Sequence, residues 1–331
     1  MRAIRYTAAG GPEVIQLRDA PTPEPGPRQV RVRVHASALN RADILQRRGR
    51  YPAPAGWPAD IPGLEYAGEV EALGPGVTRW QVGDRVMGLV GGGAHAEFVV
   101  VHADETTAVP EGMAYTDAAA IPEAFLTAWD ALVARGRLVA GERVLIHAVG
   151  SGVGTAAVQL AKRIGATVAG TSRSAAKLAQ ARALGLDEAI DTSTRGFGEQ
   201  LDQSVDVILD VFGAPAFAAN LDALTPRGRL VLLGFLQGAT GELSLEPILR
   251  KRLEVIGTVM RTRSLEERIP LVAAFAAEVV PAFGGSAARR PGDSAASLQP
   301  VVAQVFPFTD IVAAHAVMER DENFGKVVLG W

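Results

Sequence analysis

Cysteine is absent from the 331 residues, and with it go disulfides, thiolate nucleophiles, iron–sulfur clusters and every thiolate-ligated zinc site. Aromatic residues are sparse, at 6%. No apolar run reaches the ~20 residues that a bilayer-spanning helix needs. The longest largely apolar stretch, Ile269 to Phe283, is interrupted by Glu278 and by Pro270 and Pro281. The N-terminal Met1-Arg2-Ala3-Ile4-Arg5-Tyr6 alternates as a strand does and lacks the apolar centre of a signal peptide. A cytoplasmic protein with no membrane partner is therefore expected. Neither sign of charge dominates: 33 basic against 36 acidic residues leave a formal net charge of −3, which argues against nucleic acid as a general partner. What remains is ordinary globular material, 48% apolar and 21% charged, in a length that fits two domains of about 150 residues each.

The chain up to Pro122 reads as β-rich. Val30-Arg31-Val32-Arg33-Val34 alternates like a half-buried strand. Further strands are expected over Gly63–Leu73, closed by the turn Gly74-Pro75-Gly76, over Val82–Val86 and over Ala96–Val101. Short strands separated by Gly and Pro suggest a barrel-like domain. A helix is expected over Ala124–Arg135, and from Arg143 the texture alternates. Apolar strand candidates Val144–Ile146, Thr167–Ala169, Val205–Leu209 and Leu230–Leu233 are interleaved with helical stretches at Gly154–Ile164 and Ala175–Leu184. That is the βαβ rhythm of a doubly wound parallel sheet. The expected division is a Rossmann-type α/β domain over 123–262 and a discontinuous β-rich domain over 1–122 and 263–331. The second domain takes in a Gly/Ser/Arg-rich loop at Gly284–Ser297, a strand at Val301–Phe306, a helix at Asp310–Arg320 and a returning strand ending at Leu329.

The most informative stretch runs Leu145-Ile146-His147-Ala148-Val149-Gly150-Ser151-Gly152-Val153-Gly154 and on into an apolar helix. A strand, a glycine-rich turn and a helix start in that order make a dinucleotide site. Glycines let the backbone approach a pyrophosphate, and the free N–H groups and dipole at the helix start favour its charge. NAD sites place a carboxylate about 20 residues on, to hold the ribose 2′-hydroxyl. Here that place reads Thr171-Ser172-Arg173-Ser174, with Lys177 one turn later. Hydroxyls and cations without a carboxylate suit a 2′-phosphate, so NADPH is the expected cofactor. The plainer alternative is a capped helix with solvated charges.

Four stretches together resemble the zinc-free quinone oxidoreductases of the medium-chain dehydrogenase/reductase superfamily, closest to the stress-inducible branch beside the zeta-crystallin-like enzymes. They are Leu39-Asn40-Arg41-Ala42-Asp43 continuing to Tyr51, Pro62-Gly63-Leu64-Glu65-Tyr66-Ala67-Gly68, His147 to Gln159, and Gly325-Lys326-Val327-Val328-Leu329. The resemblance covers nearly the whole chain and implies a GroES-like fold for the β-rich domain. Zinc-dependent relatives use Cys where Asn40 stands and His where Leu64 stands, so neither ligand is present, and the five histidines show no metal-ligand spacing. Val149 and Ser151 also stand where such relatives often have Gly.

The implied reaction is hydride transfer from the nicotinamide to a quinone or related electrophile at the cleft between the domains, with the protein supplying orientation and hydrogen-bond donors. Tyr51 is the candidate donor or, equally, a loop aromatic covering Pro52 and Pro54. Asn40 supplies a neutral hydrogen bond, and Ser151 reaches the nicotinamide or the pyrophosphate. Cofactor contacts are expected from Thr127, Gly150, Gly152, Val153, Gly154, Ser172, Arg173, Lys177, Gly234, Phe235, Leu236, Asn323 and Lys326. Asp43 and Glu65 are expected as structural polar partners, and Arg41, Arg47, Arg48 and Arg50 as a solvated loop face. Competing readings are a 2-alkenal or enoyl-thioester reductase, and a non-catalytic NADPH-binding protein with a sensory, structural or RNA-associated role. A homodimer joined through an edge strand near Leu253–Val259 is expected.

Overall fold

A computed structural model describes residues 1–284 and 297–331, so the interior of the Gly284–Ser297 loop lies outside the described residues. The chain divides into two compact units, Met1–Leu126 with Arg261–Trp331, and Thr127–Met260.

In the first unit, β1 (Arg2–Tyr6) pairs with β2 (Ile15–Asp19). The long strand β3 (Gln29–Leu39) leads into α1 (Arg41–Arg47) and is followed by β4 (Glu65–Leu73), β5 (Arg85–Leu89), β6 (Phe98–His102) and β7 (Thr106–Ala108). Helices α2 (Tyr115–Ala118) and α3 (Pro122–Trp129) close this stretch. β5 starts at Arg85 rather than Val82 because Gly83 turns the chain with φ +94°. Val30, Val32 and Val34 of β3 point inward with Tyr66, Val70, Val86 and Val99, so the alternating apolar positions become the barrel core.

The second unit opens on the end of α3 and a wide helical turn over Asp130–Arg135, which replaces the last part of the helix expected to Arg135. Its elements are β8 (Arg143–Ile146), α4 (Gly152–Ile164), β9 (Thr167–Ser172), α5 (Ala175–Ala183), β10 (Glu188–Asp191), β11 (Val205–Asp210), α6 (Ala214–Ala223), β12 (Leu224–Leu232), α7 (Glu246–Lys251) and β13 (Glu254–Gly257). The sheet is all parallel, in the order β10-β9-β8-β11-β12-β13. That is the doubly wound order in which the sheet grows outward from β8 in both directions, leaving a crevice at the strands' carboxyl ends where ligands bind. β12 starts six residues earlier than the expected Leu230, running through Pro226 and Gly228 past a register shift at Val205/Val207 of β11.

Back in the first unit, α8 (Leu265–Glu278), β14 (Val302–Pro307), α9 (Ile311–Glu319) and β15 (Lys326–Gly330) complete the chain. β15 pairs antiparallel with β3, and β14 pairs parallel with β15, giving the order β14-β15-β3-β4-β5-β7 with β6 also on β3. No helix among the described residues is long and apolar enough to cross a membrane.

Candidate functional site

The turn between β8 and α4 is shaped by close backbone packing. A Cβ on Gly154 would lie 2.4 Å from the Ala148 carbonyl oxygen and 2.8 Å from Val149 Cα, so only glycine lets the helix start press against the turn. Ala148 itself adopts φ +54°. Ser151 caps α4: its Oγ accepts the Gly154 N–H at 3.0 Å, a bond that leaves the hydroxyl hydrogen free to donate. The N–H groups of the first helical turn have no acceptor within the helix. This cradle of backbone donors fits a pyrophosphate.

At the carboxyl end of β9, the strand beside the turn, lies the hydroxyl and cationic cluster. Ser172 Oγ accepts the Ser174 N–H at 3.1 Å, and Ser174 caps α5 through the Lys177 N–H at 3.4 Å. The Lys177 stem lies directly over Gly150, where an added Cβ would come within 2.7 Å of Lys177 Cδ. Gly150 and Lys177, 27 positions apart, therefore meet because the glycine leaves room for the stem. The end of β9 presents no carboxylate in Thr171–Ser174. Arg173 is exposed and Ser172 and Lys177 are half-buried.

Behind the turn sits a polar group around His147 that the sequence, with no metal-ligand spacing among its histidines, does not reveal. His147, Thr171 and Asn220 are all buried. His147 Nδ1 is 3.0 Å from Thr171 Oγ1, and its Nε2 is 2.8 Å from Asn220 Oδ1. Thr171 also receives the Ala148 N–H on Oγ1 and the Val149 N–H on its carbonyl, at 3.4 and 3.1 Å. One side chain of β9 thus pins the turn after β8. Burial holds the His147 imidazole below its usual proton affinity, and so a neutral ring donates from Nε2 and accepts at Nδ1. Thr127 is also notable: its Oγ1 is buried with no hydrogen-bond partner, a state that costs roughly 1–3 kcal/mol unless something supplies an acceptor. Gly234 would admit a Cβ, and Phe235 and Leu236 are more than half exposed.

In the first unit, Asn40 follows β3 and caps α1, its N–H donating to Asp43 Oδ2 at 2.7 Å. Its side-chain amide is fully engaged. Nδ2 donates to Glu65 Oε1 at 3.0 Å and to the Ala38 carbonyl at 3.3 Å, while Oδ1 accepts from Lys326 Nζ at 2.6 Å. Lys326, 4% exposed, also bonds the Leu39 carbonyl at 2.9 Å and pairs with Glu65 at 2.6 Å. The other Glu65 oxygen accepts the Glu123 N–H at 2.8 Å. Asp43 lies alongside, with Oδ1 accepting the Gly63 N–H at 3.0 Å. Burial pushes its carboxyl up to about 6, against the pull of the Asn40 and Gly63 N–H groups. Asn323 Nδ2 ties off the turn before β15 through the Gly325 carbonyl at 2.7 Å.

Tyr51 is half-buried, with the Arg261 guanidinium 4.0 Å from its ring centroid. Burial raises its phenol above the usual value, while Arg261 pulls it back. Of the arginine cluster expected as a solvated face, Arg48 and Arg50 are exposed and Arg41 partly so, but Arg47 is not. Arg47 is 1% exposed, locked by Glu319 at 2.5 Å, His315 Nδ1 at 3.1 Å and the Gly10 carbonyl at 3.3 Å. Its partners lie on α9 and the N-terminal turn, too far along the sequence for spacing to reveal. Among the described residues no group of three or more His, Asp and Glu stands ready to hold a metal ion.

Comparison with known proteins matches residues 26–111 to the alcohol dehydrogenase GroES-like domain and residues 152–278 to the zinc-binding dehydrogenase family. The chain is 40% identical over 243 residues to a quinone oxidoreductase of Pseudomonas aeruginosa, covering 72% of this chain and 74% of that protein. Among solved structures, a mycobacterial protein complexed with NADPH superposes with a TM-score of 0.83 at 29% identity, covering 100% of both chains. The JamJ enoyl reductase superposes with a TM-score of 0.85 at 26% identity, covering 99% of this chain and 98% of that one.

Proposed function

The chain belongs to the medium-chain dehydrogenase/reductase superfamily, as a zinc-independent oxidoreductase related to the quinone oxidoreductases, and on that premise we propose that it reduces quinones with NADPH as hydride donor. The observation that carries the cofactor choice is the end of β9. Ser172, Arg173 and Lys177 follow there with no carboxylate in the Thr171–Ser174 stretch itself, and the Lys177 stem lies against Gly150 of the phosphate turn. The likeness to a structure solved with NADPH supports the same choice.

In this reading a bound reduced nicotinamide supplies the hydride pair. Gly150–Gly154 hold the pyrophosphate, and Ser172, Arg173 and Lys177 hold the 2′-phosphate. Thr127 uses its unpartnered hydroxyl on the cofactor, and Ser151 and Gly234–Leu236 line it. Tyr51 donates a hydrogen bond to the substrate oxygen on which negative charge develops. Asn40 and Lys326, whose polar atoms are committed to Glu65 and to each other, shape the start of α1 rather than touch substrate. Two chains pair through β13, an edge strand on which Val255 is 39% exposed; light scattering should return the mass of two chains, and a monomer mass contradicts this.

The test is loss of NADPH absorbance against a panel of quinones. Turnover is expected with at least one quinone, faster with NADPH than with NADH, and abolished in the Tyr51→Phe, Ser151→Val double variant. No turnover with any quinone overturns the reading. The likeness to an enoyl reductase supports a second one, in which the same hydride goes to a conjugated enoyl thioester; including such a substrate in the panel separates the two.

A further inference from the structure

We propose that Arg261 is the residue that positions Tyr51 and balances its charge when the phenol gives up its proton. This deepens the proposed role of Tyr51 and rests on that reading. The geometry is direct. The Arg261 guanidinium carbon lies 4.0 Å from the Tyr51 ring centroid, within the roughly 6 Å over which a cation is held by an aromatic face. Tyr51 sits in a proline-rich loop, Tyr51-Pro52-Ala53-Pro54, outside any helix or strand, so no regular backbone ladder fixes its side chain. A planar cation stacked on the ring supplies that restraint.

The charged surroundings of Tyr51 are unequal. Arg261 favours the phenolate, whereas the Glu123 and Asp43 carboxylates oppose it, and burial opposes it most. Of these groups, Arg261 alone stabilises the anion a proton donor leaves behind. In the step itself, the hydride pair adds to the quinone and one carbonyl oxygen becomes an oxyanion. The Tyr51 O–H bond breaks as the new O–H bond forms, and a solvent proton then restores the phenol. The sum is NADPH, one proton and quinone giving NADP⁺ and hydroquinone. Between the two proton movements Tyr51 is a phenolate, and the adjacent guanidinium carries the compensating charge.

The experiment is a spectroscopic phenol titration of the full-length protein without cofactor, beside quinone turnover. Only four tyrosines are present, Tyr6, Tyr51, Tyr66 and Tyr115, so the signal missing from Tyr51→Phe identifies Tyr51. In Arg261→Gln the Tyr51 midpoint moves up and quinone turnover falls roughly tenfold, with its pH profile displaced in the same direction. Arg261→Lys, which keeps the charge but loses the planar stack, restores the midpoint in part. An unmoved Tyr51 midpoint in a folded Arg261→Gln protein overturns the proposal. If the midpoint moves but Tyr51→Phe turns over quinones as the wild type does, the coupling stands and the reading of Tyr51 as proton donor is what fails.

Discussion

His95 and Asp43 lie 3.9 Å apart, and both are wholly buried. Burial drives the two in opposite directions on the pH scale: His95 falls to about 3, with Lys326 adding to the effect, and Asp43 rises to about 6. His315, buried beside Arg47, also falls to about 3. A histidine that stays neutral in the folded state while the unfolded chain takes up a proton loses stability as pH falls below about 6.5. Each contributes up to about 1.4 kcal/mol per pH unit once well below that point. Asp43 works the other way, because its raised folded value makes its contribution greatest below the unfolded value and lost as pH rises through about 6. With these two histidines, and His147 lowered by burial in the same direction, against one aspartate, denaturant unfolding should show stability falling from pH 7 to pH 5. Replacing His315 by Gln should make that slope shallower, whatever it does to stability at pH 7. A stability that does not change over this range contradicts the buried-neutral assignment. None of this was legible in the sequence. Arg47 and His315 are 268 positions apart, and a lone histidine in a chain carries no mark of what surrounds it. Arg261 was missed for the same reason, since nothing in its neighbourhood announces the ring of Tyr51.

At the scale of elements, the sequence was most readable where local chemistry forces the backbone. The β8–turn–α4 unit was clear because strand, glycines and an apolar helix appear together, and Gly154 is required by backbone atoms within 2.8 Å of its would-be Cβ. Gly150 differs, since the three atoms nearest its would-be Cβ all belong to the Lys177 side chain and none to backbone. The two substitutions should therefore separate. Gly154→Ala must move backbone, costing about 1–3 kcal/mol of stability and weakening both coenzyme forms. Gly150→Ala should leave the fold intact and displace Lys177, reducing affinity for NADPH more than for NADH. Thermal unfolding beside coenzyme titration checks both, and equal loss of NADPH and NADH in Gly150→Ala contradicts the role given to Lys177. The boundaries of β5 and β12 were less legible, because the φ +94° turn at Gly83 and the bulge on β11 are settled by pairing with neighbouring strands rather than by local sequence. Thr171 was read as part of a phosphate cluster, yet its side chain faces inward to His147 and holds the turn.

For the whole molecule, the apolar rhythm was enough to give two kinds of domain, one β-rich and one a doubly wound sheet in the order β10-β9-β8-β11-β12-β13. The closing of the β-rich sheet by β15 against β3 joins segments almost 300 residues apart. The sequence placed the returning strand in the β-rich domain, but its pairing with β3 as well as with β14 depends on contacts too distant for local pattern to reveal. What composition could not supply is the buried Asn40–Glu65–Lys326 group, in which Lys326 is brought by β15 to a carboxylate on β4. On the proposed function, a reduced nicotinamide dinucleotide docks on the Gly150–Gly154 turn with its extra phosphate at Ser172, Arg173 and Lys177. Calorimetric titration of the purified protein with NADPH and NADH tests it most directly. NADPH should bind the tighter of the two, and the Arg173→Ala, Lys177→Ala double variant should lose roughly tenfold or more in NADPH affinity with little change for NADH. Absence of binding by either coenzyme, or a double variant that binds NADPH as tightly as the wild type, would contradict it.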